Sequence, residues 1–65
     1  MEMVFESRTD EQTYTSILAT IDENKKYVTF KYNGKNYKRK FSIHKHFAGF
    51  HFKGWFFAID NKAGV

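Results

Sequence analysis

KYVTFKYNGKNYKRKFSI, residues 26–43, decides the fold. Asn33-Gly34 stands at its centre, and a type I′ turn, which needs positive φ at both central positions, takes Asn followed by Gly at the lowest steric cost. A two-residue turn sets Tyr32 opposite Lys35, Phe30 opposite Tyr37 and Val28 opposite Arg39. The two-residue period of a strand then sorts the side chains. Val28, Phe30, Tyr32, Tyr37, Phe41 and Ile43 share one face; Tyr27, Thr29, Lys31, Asn36, Lys38, Lys40 and Ser42 share the other. Apolar residues segregate on both arms, so the register is self-consistent. Lys35 and Arg39 interrupt the apolar face. Lys35 lies beside the turn and reaches water, and Arg39 must run its stem to the sheet edge.

Working outward, residues 2–6 read as a short strand and Ser7 to Gln12 as a polar turn. Residues 13–22, TYTSILATID, are rich in stiff β-branched side chains, and Ile17, Ala19 and Ile21 alternate, which predicts a strand. Asp10 with the following polar residues is also a helix-capping pattern, and a helix over 13–22 would make the fold α+β. Residues 44–49, HKHFAG, lack alternation and read as a loop or one helical turn. Residues 50–60 are strongly β-prone. Lys53-Gly54 there turns a second tight hairpin, with Phe50, Phe52, Trp55, Phe57 and Ile59 on one face and His51, Phe56 and Ala58 on the other; the alternative is one strand bulged at Gly54. The expected fold is all-β, a five-stranded meander or partly closed SH3- or OB-like barrel. Residues 1–60 form the expected domain and residues 61–65 a frayed tail.

A chain of 65 residues is one domain at most. Such a chain buries only about 60% of its unfolded surface on folding. Cysteine is absent, so neither a disulfide nor a thiolate metal site staples it, which suits a reducing compartment. One residue in five is aromatic, which supplies a dense core instead. No stretch approaches the roughly 20 apolar residues of a membrane helix. The first residues, MEMVFESRTDEQ, have neither the basic start nor the apolar run of a secretory signal, so a cytoplasmic location with no membrane association is expected. Frequent Lys, Asn, Phe and Tyr without proline are what an AT-rich coding sequence yields, as in some bacteria and phages.

Charge is divided unevenly. The first 24 residues hold six carboxylates against Arg8, and the remaining 41 hold ten lysines and arginines against Asp60. A basic half attracts anions, nucleic acid among them. Catalysis is not expected: His44, His46 and His51 have no carboxylate placed to orient them, and a chain this short hardly walls off a substrate pocket. The His44-x-His46 pair with His51 has the spacing of an open metal site, but no cysteine reinforces it and Asp60 is the nearest carboxylate in sequence. These histidines read as surface groups, with no metal and no cofactor expected.

The lysine face of the hairpin is the functional candidate. Lysines contact phosphates, and a tyrosine among them offers a plane on which a base stacks. Tyr27, Lys31, Lys38 and Lys40, with Lys45, Lys53 and Trp55 from the later segments, form the expected nucleic-acid-binding set. Two short stretches bear resemblances. Lys53-Gly-Trp-Phe-Phe-Ala-Ile59 resembles the basic-aromatic motif of RNA-recognition and cold-shock domains over seven residues. It departs at Phe56, where those families have glycine or alanine, and at Ala58, where they have a branched aliphatic. The resemblance implies Trp55 and Phe57 as base-stacking residues. The hairpin VTFKYNGKNYKRKF is similar in texture to the first hairpin of small archaeal chromatin proteins with an SH3-like barrel. Neither stretch assigns the chain to a family. The alternative function is a small protein-binding factor, a phage- or mobile-element-type inhibitor or adaptor, or a homodimer, using the aromatic segment 47–57.

Overall fold

In the computed structural model, which describes residues 1–8 and 14–60, every regular element is a strand. In chain order they are β1 (Glu2–Arg8), β2 (Tyr14–Ile21), β3 (Tyr27–Tyr32), β4 (Lys35–Lys40), β5 (Ser42–Ile43), β6 (Phe47–Phe52) and β7 (Trp55–Asp60). They form one antiparallel sheet in the order β4-β3-β2-β1-β7-β6-β5, nearly closed into a barrel. The all-β expectation therefore holds, with seven strands in place of five. Residues 14–21 are strand and not helix. Among the described residues, no helix is long and apolar enough to cross a membrane. The expected frayed tail and residues 9–12 of the expected Ser7–Gln12 turn lie outside the described residues, whereas Ser7 and Arg8 extend β1 and pair with Thr15 and Tyr14.

The hairpin register is the one predicted, with Tyr27 opposite Lys40, Phe30 opposite Tyr37 and Tyr32 opposite Lys35. Its turn has φ of 51° at Asn33 and 79° at Gly34. Lys53-Gly54 makes a second turn of the same kind, with φ of 52° and 81°. Lys53 is a side-chain-bearing residue in the left-handed region, a strain of about 1–2 kcal/mol that β6–β7 pairing offsets.

The two outermost strands of the sheet, β4 and β5, are consecutive in the chain. Phe41 lies between them. Its amide still pairs backward, donating to the Lys26 carbonyl at 2.8 Å, while the next residue, Ser42, already pairs with Gly49 of β6. Its ring is buried against Phe5 at 6.0 Å. The chain thus crosses from one sheet edge to the other within a single residue. That crossing resets the side-chain alternation, which is why Ile43 is 42% exposed and not inside as predicted.

The core is largely phenylalanine. Phe5, Phe30, Phe41, Phe50, Phe52 and Phe57 are buried with Ile17, Ala19, Ile21, Val28 and Ala48. Phe50 touches Phe5 edge-on at 5.1 Å and stacks on Phe30 at 5.0 Å. The expected loop over 44–49 is instead a short turn leading into β6. Ala48 and Gly49 are too small to display the alternation. Gly49 is also fixed by contact: a Cβ there would meet backbone of β7, with the Phe57 carbonyl closest and Ala58 Cα at 2.9 Å.

Candidate nucleic-acid interface

Alternation on β3 and β4 turns Tyr27, Thr29 and Lys31, with Asn36, Lys38 and Lys40, to the outside. Val28 and Phe30 point into the core. The register lays these outer residues in three rows: Tyr27–Lys40, Thr29–Lys38 and Lys31–Asn36. Tyr27 is 42% exposed, and the Lys38 ammonium lies 4.5 Å from its ring centroid. A cation over an exposed ring is held by roughly 0.5–1 kcal/mol. Lys38 therefore lies against the phenol ring, which remains partly open to solvent.

The turn before β3 orients Tyr27. Asp22 Oδ1 accepts hydrogen bonds from the amides of Lys26, at 2.7 Å, and Tyr27, at 3.3 Å. The Asp22 amide donates to the Tyr27 carbonyl at 3.1 Å, and Lys25 closes the turn with φ of 57°. The aspartate acts as a local clamp on the first residue of the strand. Nothing in the sequence reading had singled it out.

Arg39, the blemish on the inner face, is half-buried. Its guanidinium lies 5.3 Å from the ring centroids of both Tyr37 and Phe52, and Nη1 donates to the Lys38 carbonyl at 2.9 Å. It bridges the side of the barrel between β4 and β6 and is not part of the lysine face.

Beside the lysines, the outer surface of β2, β3 and β4 is hollowed into an open concavity of about 720 Å³. Ser16, Leu18, Thr20 and Thr29 line it along with Lys31, Asn36 and Lys38, and Glu2 lies on the β1 side. Charge changes sign across this surface. β3 and β4 carry lysines, β2 carries no charged residue, and β1 carries Glu2 and Glu6 with Arg8 at its C-terminal end.

The remaining predicted residues are placed elsewhere. Lys45 is in the turn between β5 and β6, at the same end of the barrel as Lys40 and the Lys25–Lys26 turn. Lys53 and Trp55 stand at the opposite end, where Lys53 Nζ lies 5.3 Å from the Tyr32 ring centroid. Trp55 is 43% exposed and borders a small cleft of about 100 Å³ with Thr15, Tyr32 and Phe52. One strand length, about 17 Å for five residue steps, separates that end from Tyr27. Trp55 and Tyr27 therefore cannot sandwich one base. Phe57, implied as a stacking residue by the motif resemblance, is 3% exposed and packs on Phe50 at 5.5 Å, so it belongs to the core.

A second group of rings lies outside the barrel on β6 and β7. His44 stacks on Phe47 at 4.6 Å, Phe47 meets Phe56 edge-on at 5.7 Å, and His51 meets Phe56 at 4.8 Å. Phe47 and Phe56 flank the Gly49–Ala58 row and lean together where glycine offers no side chain. Among the described residues, no three His, Cys, Asp or Glu side chains converge as a metal site would need. Comparisons with protein-family models, with curated proteins and with solved structures find no match to this chain.

Proposed function

We propose that the chain is a non-catalytic nucleic-acid-binding module working from the cytoplasm, with the outer face of the β3–β4 hairpin as its contact surface. One observation carries the reading: the register sets Tyr27 directly opposite Lys40 and under Lys38, with Lys31 further along the same face. Lys31, Lys38 and Lys40 neutralise phosphates, and the open face of Tyr27 stacks on a base. Thr29 and Asn36 between them supply neutral hydrogen-bonding groups. Lys45 extends the basic surface past the Tyr27 end, and Lys53 with Trp55 makes a separate contact at the other end. Fluorescence anisotropy with labelled single- and double-stranded DNA and RNA tests it. Micromolar or tighter binding at about 50 mM salt, weakening steeply by about 200 mM, is the expected result. No binding at the lower salt refutes the reading.

The ring cluster of His44, Phe47, Phe56 and His51 favours a second reading, a protein partner docking on segment 47–57. Under it Trp55→Ala and Phe47→Ala reduce partner binding while nucleic acid is irrelevant. Both residues are more than 40% exposed, and circular dichroism checks first that each variant folds.

A further inference from the structure

The β2–β3 ladder joins Ile21 to Val28, Thr20 to Thr29 and Ala19 to Phe30, and it stops there although both strands run on. Past that point β2 and β3 part, and the concavity of about 720 Å³ opens with Leu18 on one side and Lys31 on the other. Its lining is sorted by chemistry. Lys31 and Lys38 stand on the hairpin side, whereas Ser16, Leu18 and Thr20 on β2 are exposed and uncharged. Glu2, the one carboxylate of the lining, lies beyond Thr20 on β1. Leu18 is 54% exposed, an apolar group that core packing does not use.

Each outward row of the hairpin holds one lysine. In two rows the lysine is on β4 and its neighbour on β3 is neutral: Lys40 beside Tyr27, and Lys38 beside Thr29, with Thr20 continuing that second row on β2. In the third row the lysine moves to β3 as Lys31, and the neutral group towards β2 is Leu18. In every row, then, an uncharged side chain stands on the β2 side of the lysine. We infer, on the premise that the lysine face binds nucleic acid, that its ligand is single-stranded and that the concavity receives a base. Phosphates lie along Lys40, Lys38 and Lys31, and unpaired bases are laid towards β2, one on Tyr27 and one on Leu18. The hydroxyls of Thr20 and Thr29 between them donate to and accept from base edges.

The preference for a single strand comes from the base side. A tyrosine ring and a leucine gain most by covering the flat face of a base. In a duplex those faces are stacked on neighbouring pairs, and a protein meets only groove edges and backbone. The lysines by themselves favour the duplex, which carries more charge per unit length. Tighter binding of a single strand of the same length therefore measures the base contacts, separately from the phosphate contacts.

Anisotropy with a labelled strand of about 16 nucleotides, mixed in sequence and without self-complementarity, reads the preference when it is titrated alone and annealed to its complement. The single strand is expected to bind about tenfold or more tightly, the worth of one stacked base. Leu18→Thr keeps a strand-forming residue at an exposed position, and circular dichroism confirms its fold. It is expected to weaken single-strand binding by about three- to tenfold, with duplex affinity and the salt slope unchanged because no phosphate contact is lost. A duplex bound as tightly as the single strand, or more tightly, overturns the inference. So does a Leu18→Thr variant that binds the single strand like wild type. In both cases steep salt dependence leaves the lysine face standing. Failure of both ligands to bind at about 50 mM salt refutes the lysine face itself, and the inference with it.

Discussion

Replacing Lys31, Lys38 and Lys40 together by glutamine removes three charges from one face while keeping a flexible polar side chain at each exposed site. None of the three contributes to the core. The consequence is a number. Each phosphate neutralised on B-DNA adds about 0.9 to the slope of log affinity against log salt, and about 0.7 on a single strand. Three contacts thus account for a slope of about 2.7 on duplex and about 2.1 on single strands. Raising salt from about 50 to about 200 mM then weakens the wild-type contacts by about fortyfold on duplex and by about twentyfold on single strands. The triple variant should lose that share of the dependence, about equally for all base sequences, because phosphate contacts position without specifying. Lys53→Gln is the control, since Lys53 stands at the far end against Tyr32 and should shift the slope by no more than about one unit. Anisotropy titrations at four salt concentrations give the slopes. An unchanged slope in the triple variant would refute the assignment of phosphate contact to this face, whatever the absolute affinity.

Two further changes test the scaffold beneath the site. Gly49→Ala drives a methyl group into the backbone of β7, where no flexible side chain can yield; a loss of about 3 kcal/mol is expected, which for a domain of this size lowers the melting temperature by about 12–24 °C. A thermal melt within about 4 °C of wild type would show that β6 and β7 approach less closely than described. Asp22→Ala removes the acceptor shared by Lys26 and Tyr27; it should cost about 1 kcal/mol in stability and weaken stacking on Tyr27 while leaving the salt slope intact, which denaturant titration and the same anisotropy assay separate.

The hairpin was legible because two independent signals agreed: a dipeptide built for one turn type and an apolar alternation that matched on both arms. The lysine face followed from parity alone, and the structure puts every outward residue of β3 and β4 where that parity requires. Parity also marks the limits. It carries no information across Phe41, where the chain changes partner strands and Ile43 turns outward. It is invisible at Ala48-Gly49, where the sequence of a strand resembles that of a loop. Among the aromatics of β6 and β7, spacing alone could not separate the core residues Phe50, Phe52 and Phe57 from Phe47 and Phe56, because both groups come from the same two strands and differ only in face. Trp55 has inward parity yet stands exposed, since a strand end at a barrel mouth has no neighbour beyond it. Asp22 gave no signal at all, because an aspartate before a turn is too common to single out.

The passage through Phe41 also shapes how the protein must assemble. Each strand pairs with its sequence neighbour except where β4 gives way to β5, and among the described residues the sole pairing between distant parts of the chain is β1 with β7, Glu6 against Ala58. The molecule is a ribbon of local hairpins bent into a ring and fastened at one seam. Local hairpins form on the order of microseconds, whereas the seam must gather in nearly the whole chain before any of its hydrogen bonds are gained, and the cost of closing so long a loop is entropic. The seam is therefore the last part to join and the first to part. Slow, cooperative opening along β1 and β7 exposes Phe5, which sits on β1 at 0% exposure, and so links the integrity of the phenylalanine core to a single strand pair.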